Sequence, residues 1–276
     1  GGKGKRPWAF SLDTSVSSGA ACPMLFVIDA GNTNIVGGVF KDGRLVDTMR
    51  IRTVPGKTED EYGVVVKAVL QDRGVDVASI DRVILSSVVP QMNAAMEKMA
   101  VHLFGVQPMV VGPAVYDRLP LRVVAAHEIG TDLVADAMAA WAMFGGACLV
   151  VDFGTALTFT AVDATASIVG VSIAPGLGTA AGSLSKATAQ LPSVPLEAPA
   201  SAMGRNTVEA IQAGVVLGYT GLVEYLARRI TKELGGAKVV ATGGLCRVLS
   251  DLTDVFDAVE MDLTLKGLAE MERYLF

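Results

Sequence analysis

A turn that occurs twice constrains this sequence more than any other feature. Asp29-Ala30-Gly31-Asn32-Thr33-Asn34 lies between the apolar runs Met24 to Ile28 and Ile35 to Phe40, which read as strands. Asp152-Phe153-Gly154-Thr155-Ala156 lies in the same way between an apolar run ending at Val151 and the run Phe159 to Val162. In each turn a carboxylate stands at the mouth, and a glycine two residues later lets backbone approach a ligand closely. Amides and hydroxyls follow, as a phosphate cradle requires. A hairpin turn that simply favours Asn and Gly accounts for one copy. Two copies about half a chain apart point to a duplicated α/β fold closing on one ligand.

Composition narrows the class. The chain has 276 residues, 51% of them hydrophobic, enough for two domains of ordinary size. With 28 acidic and 23 basic residues the net charge is -5, and no basic stripe interleaved with aromatics appears, so nucleic acid is not an expected partner. Cys22, Cys148 and Cys246 are too scattered for a disulfide framework or a zinc site, and a reducing cytoplasm is expected. Mean hydropathy is +0.47. The uncharged stretches 137–151 and 164–185 are interrupted by Gly145-Gly146 and Pro175-Gly176, so neither reads as a membrane span. Residues 1–23 lack a signal-peptide core and are read as an added or disordered leader, with Met24 as the natural start. A first domain over 24–145 and a second over 146–276 are expected.

Between the turns the pattern is legible. Lys41-Asp42-Gly43 turns the chain into a third strand, Arg44 to Arg52. Thr58 to Glu61 is a capping box for a helix running to Gly74. Val83 to Val89 is a strand, and Pro90 starts a helix whose Met92, Met96 and Met99 read as core. The stretch 112–126 reads as irregular. Glu128 to Phe144 is helical and carries Asp132 and, one turn later, Asp136 on an otherwise apolar surface; capping or a solvated edge explains Asp132 as well as chemistry does. A helix is expected from Gly176 to Gln190. Asn206 to Glu209 caps a long helix to Leu234, where Ala210, Gly214 and Gly218 form a stripe against which something should pack closely. Lys238 to Ala241 is a strand leading into Thr242-Gly243-Gly244, a turn able to lie against a nucleotide.

The three strand-turn elements at 29–34, 152–158 and 241–244 follow the order of the first phosphate, second phosphate and adenosine motifs of the actin, sugar-kinase and Hsp70 superfamily. Asp29 to Asn34, Gly130-Thr131-Asp132, Asp152 to Ala156, Ile173 to Gly176, Leu191-Pro192 and Gly204 to Thr207 resemble, in that order and spacing, the type III pantothenate kinases from about Met24 onward. The resemblance implies duplicated ribonuclease-H-like domains around a central cleft, and transfer of the ATP γ-phosphoryl group to pantothenate in a homodimer. It implies Asp132 as catalytic base; Asp29 near Mg2+; and Gly31, Asn32, Thr33, Asn34, Gly154, Thr155, Gly243 and Gly244 around ATP. Asp152 is implied as ligand of a monovalent cation, K+ or NH4+. Gly130, Thr131 and Asp132 would meet pantothenate, and Thr207 would reach it from the partner subunit.

Several positions depart from the family pattern, and they cluster on the pantothenate side. Leu133 stands where Arg usually follows the catalytic Asp, Val123, Ala125 and Ala126 replace a Tyr and an Asn-Pro, and Tyr116-Asp117-Arg118 replaces Lys-Thr-Gly. Gly170-Val171 stands for a Gly-Gly. ATP is therefore expected to bind normally and pantothenate weakly, unless Arg118, Arg122 or Arg205 compensates. The alternative is a divergent nucleotide-binding paralogue or regulator with a lost or changed acceptor site. His127 is read as a surface residue, with a role beside Asp132 as the alternative, and His102, on the methionine-rich helix, as structural.

Overall fold

The computed structural model describes residues 23–188 and 191–276. The leader reading for 1–23 and the end of the helix expected to reach Gln190 thus lie wholly or mainly outside the described residues.

Two mixed sheets form the framework. In the first, β1 (Met24–Ala30), β2 (Asn34–Lys41) and β3 (Arg44–Arg52) run antiparallel, and β4 (Ile80–Ser87) and β5 (Met109–Val110) add in parallel on the other side of β1, giving the order β3-β2-β1-β4-β5. The second sheet contains β6 (Arg122–Val123), β7 (Cys148–Phe153), β8 (Ala156–Val162), β9 (Ser167–Pro175), β10 (Lys238–Thr242) and β11 (Ala258–Val259) in the order β11-β10-β7-β8-β9-β6. The same hairpin-plus-parallel-strand pattern recurs around β1 and around β7. The expected duplicated α/β architecture is present.

Three apolar clusters hold the layers together. On the outer face of the first sheet, α1 (Glu59–Asp72) and α2 (Asn93–Phe104) bury Tyr62, Val66, Leu70, Met92, Met96 and Met99 against Phe26, Ile28 and Leu85. Thr58 forms the anticipated capping box, its hydroxyl accepting from the Glu61 N–H while the Glu61 carboxylate accepts from the Thr58 N–H. Between the sheets lie α4 (Thr131–Phe144) and α9 (Leu263–Leu275), packed on Leu25, Val27, Ile84, Val150, Val162 and Val240. The outer face of the second sheet is covered by α5 (Leu177–Ala187), α6 (Thr207–Gln212), a π-helical turn (Ala213–Leu217), α7 (Gly218–Glu233) and α8 (Cys246–Ser250).

Two sequence readings need correction, and two further features of the helices stand beside them. The helix expected from Glu128 begins at Thr131, because Ala125 to Ile129 closes a turn on the Ala125 carbonyl and Gly130 is extended. The stretch 112–126 is not irregular throughout: it contains α3 (Pro113–Tyr116) and β6, and β6 pairs with β9 in the second sheet. In the small-residue stripe Ala210 receives the Gly204 backbone, where a Cβ would collide with the Ala210 N–H, whereas among the described residues nothing lies within 4 Å of a Cβ at Gly214 or Gly218. Finally, one helical run among the described residues, Thr207–Glu233, has the length and hydropathy (1.2) of a membrane span; 39% of its apolar window is buried in the protein.

Candidate active site between the two sheets

Asp29 is the penultimate residue of β1, and neighbouring elements contribute to its surroundings. Parallel register sets Asp29 beside Ser86 of β4, whose hydroxyl donates to the Asp29 carboxylate at 3.2 Å and also lies 2.8 Å from the Thr131 hydroxyl. Thr131 is the first residue of α4, so one buried serine ties the first turn to the helix that carries Asp132. Ser86 was not singled out from the sequence. The available signal was a Ser-Ser pair directly after the apolar run Val83 to Leu85.

Each glycine turn is closed by its own backbone and by a threonine. Gly31 N–H donates to the Asn34 carbonyl at 3.0 Å, and the Thr53 hydroxyl donates to the Gly31 carbonyl at 2.6 Å. In the second turn Gly176 N–H and the Thr179 hydroxyl both donate to the Thr155 carbonyl, at 3.0 and 2.7 Å. The turns meet across the cleft, where the Thr33 and Thr155 hydroxyls are 2.9 Å apart. Gly243 sits behind the second turn with φ +88°, where a Cβ would be 2.7 Å from the Phe153 backbone. Only glycine satisfies both the angle and the space. Gly244 is exposed beside it.

Asp132 is the second residue of α4. Its Oδ1 accepts the Leu133 N–H at 2.9 Å, which fixes the carboxylate at the positive end of the helix. Burial raises its pKa all the same. Asp29 is pushed up from the ordinary 3.8 to about 7 by burial first, then by the charges of Asp132 and Asp152, with Ser86 and Arg50 opposing. Asp152 also rises to about 7, through burial and the Asp132 charge. Asp29, Asp132 and Asp152, to which the resemblance gives roles around one cleft, are therefore within one another's field. Asp136, only 1% exposed, accepts from the Thr264 hydroxyl at 2.7 Å, and burial raises its pKa as well. Its carboxyl is closed off from solvent.

Thr207 begins α6, exposed and away from this cluster, after the Asn206 side chain that accepts the Glu209 N–H at 3.0 Å. His102 and His127 are exposed. Of the arginines considered as compensating cations, Arg118 donates to the Leu275 carbonyl at 2.6 Å and so caps the end of α9; Arg122 and Arg205 are exposed.

A set of buried carboxylates with raised pKa values makes a prediction about stability. Between about pH 4 and about pH 7 the folded chain keeps protons on Asp29 and Asp152 that the unfolded chain has released, so stability falls as pH rises through that window. With chelator present, the thermal midpoint should be lower near pH 8 than near pH 5, and Mg2+ with ATP should recover part of the loss. A midpoint that is flat or rises would contradict the burial of these groups.

The type III pantothenate kinase family model matches residues 25–229. This chain belongs to that family. Membership makes it a kinase-type phosphotransferase of the pantothenate kinase kind, acting on a small molecule. Solved structures agree on the fold. A protein described as a Baf family transcriptional activator, from Campylobacter jejuni, superposes with TM-score 0.55 at 17% identity, covering 90% of this chain and 98% of that one. The ethanolamine utilization protein EutJ of Carboxydothermus hydrogenoformans gives 0.54 at 13%, covering 90% and 89%. MreB 5 of Spiroplasma citri, bound to AMPPNP, gives 0.53 at 10%, covering 91% and 96%. All share the actin-like ATPase fold.

Proposed function

We propose that this chain transfers the γ-phosphoryl group of ATP to the primary hydroxyl of pantothenate, forming 4′-phosphopantothenate, the first step of coenzyme A synthesis. The observation carrying this reading is that Ser86 joins Asp29 to Thr131, the residue before Asp132, while the Thr33 and Thr155 hydroxyls of the two glycine turns meet at 2.9 Å, in a member of the type III family.

In this reading the lobes 24–145 and 146–276 close on ATP. Gly31, Asn32, Thr33 and Asn34 from one turn and Gly154 and Thr155 from the other surround the phosphates, with Gly243 and Gly244 toward the nucleoside. Gly130 and Thr131 hold the acceptor beside Asp132. Asp132 takes the proton of the acceptor hydroxyl; the oxygen forms a bond to the γ-phosphorus as the bond to the β-γ bridging oxygen breaks and ADP leaves. Asp29 fits a Mg2+ ligand: it is an oxygen donor in a site of like charges whose raised pKa asks for a countercharge. Bound there, the metal supplies neutralisation of the phosphate charge. Asp152 fits a K+ or NH4+ ion on the same ground.

The enzyme is proposed as a cytoplasmic homodimer. Gly214, Gly218 and Gly221 are exposed with open space above them, and Tyr225 on the same helix surface is 68% exposed, which supports a second copy packing there and presenting its Thr207 to the neighbouring site. ADP release with Mg-ATP, measured with and without pantothenate alongside light scattering, tests both parts. Pantothenate-dependent release from a dimer is expected; a monomer that shows no stimulation at millimolar acceptor would sink the proposal and favour a nucleotide-binding regulator.

A further inference from the structure

The register of the first sheet runs a row of residues from the candidate site to the edge strand. Asp29 of β1 is paired with Val36 of β2, and Val36 with Arg50 of β3. Paired residues project to the same side of a sheet, so Arg50 stands on the face that carries Asp29. The packing agrees: Val36 joins the apolar cluster between the sheets, whereas Met49 and Ile51, which flank Arg50, join the cluster on the outer face. With neighbouring strands about 4.8 Å apart, the backbones of Asp29 and Arg50 are about 10 Å from each other. Just past Arg50 the strand is fastened to the first glycine turn. Arg52 pairs with Asn34, the Thr53 N–H donates to the Thr33 carbonyl at 3.0 Å, and the Thr53 hydroxyl donates to the Gly31 carbonyl. The position of Arg50 relative to that turn is therefore fixed by the sheet.

Charge is the second observation. Asp29, Asp132, Asp136 and Asp152 make the site acidic, and among the described residues Arg50 is the one cation that acts on any of them, holding the Asp29 pKa down against burial. Arg73, Arg82, Arg228, Arg229 and Arg273 are paired with carboxylates, and Arg118 donates to the Leu275 carbonyl. Arg50 is exposed and has no ion pair among the described residues. An unpaired guanidinium beside a phosphate cradle presents a fork of donors that matches phosphate oxygens and is not spent on a carboxylate.

We propose that Arg50 is a phosphate-binding residue, its guanidinium donating to the phosphate chain of ATP held by the first glycine turn. This rests on the nucleotide part of the reading above and supplies the side-chain cation that the turns and the carboxylates lack. Phosphate charge that the four carboxylates repel is offset by a group whose position is already set, so Arg50 contributes to ATP affinity and not to the fold.

Calorimetric titration of the full chain with Mg-ATP, without any acceptor, tests this. Arg50→Gln should weaken Mg-ATP binding by about ten- to a hundredfold, the loss of one charge-assisted hydrogen bond, with the ligand-free thermal midpoint unchanged. Arg50→Lys keeps the charge without the fork and should recover part of the affinity. The dependence of ATP affinity on salt should be shallower in Arg50→Gln than in the parent. Arg44→Gln removes the same charge at the far end of β3, where Arg44 pairs with Lys41, and should leave Mg-ATP affinity as it is. Unchanged affinity in Arg50→Gln overturns the inference. So does an equal loss in Arg44→Gln, which would make the effect one of net charge, or a loss accompanied by a lowered ligand-free midpoint and no recovery in Arg50→Lys, which would make Arg50 structural. If the parent binds no Mg-ATP, the nucleotide reading fails and takes the inference with it. Arg50-dependent ATP binding without pantothenate-stimulated ADP release would uphold the inference while the kinase reading falls.

Discussion

Asp132→Asn should lower turnover by about 10²–10⁴ while leaving the fold and ATP affinity in place, the loss typical of removing a general base. The side chain keeps its shape, and an amide oxygen can still accept the Leu133 N–H that holds Oδ1. What is lost is the ability to take a proton. Among the described residues Asp136 offers no substitute, because it is 1% exposed and already accepts from Thr264. Stopped-flow or coupled ADP release, paired with nucleotide binding by calorimetry, separates the two effects. Turnover within a few-fold of the parent would remove Asp132 from the reaction, and a parallel loss of ATP affinity would make its role electrostatic support of the nucleotide.

The second large effect concerns the helix pair between the sheets. At Gly267 in α9 a Cβ would fall on the Ala135 carbonyl oxygen in α4. The obstacle is backbone, which cannot swing aside as a side-chain tip does. Gly267→Val should therefore cost about 3 kcal/mol or more, at the upper end of the overpacking range, and should shift α4 and with it Asp132 and Asp136. Gly182→Ala in α5 is the contrasting case: its added Cβ meets nothing within 4 Å, and helix propensity predicts a change of no more than about 1 kcal/mol, in the stabilising direction. Chemical denaturation of both variants checks the ordering. Equal stability of the two would mean that α4 and α9 are not packed this closely.

The Gly267 contact also shows why position in the chain does not give position in space. Residues 263–275 lie in the second half of the sequence, but α9 packs on β1, β2 and β4 as well as on α4. In the other direction β6, from the first half, extends the second sheet. Sequence periodicity reports which face of a helix is apolar and says nothing about which sheet receives it.

Local chemistry explains what the sequence by itself determined. The strands around both Asp-x-Gly turns, the Thr58 capping box, the buried methionines of α2 and the glycine after β10 follow from side-chain pattern and backbone restriction within a few residues, and all are present. The same signals, in order along the chain, resembled the type III family. Tertiary structure alone decided the rest. Ser86 touches Asp29 because parallel strands happen to align them, Thr264 reaches Asp136 across 128 residues, and Arg118 is drawn off to the end of α9. Each of these pairings brings together groups far apart in sequence. Their residue types are ordinary, and only the packing of two sheets on one helix pair gives them partners.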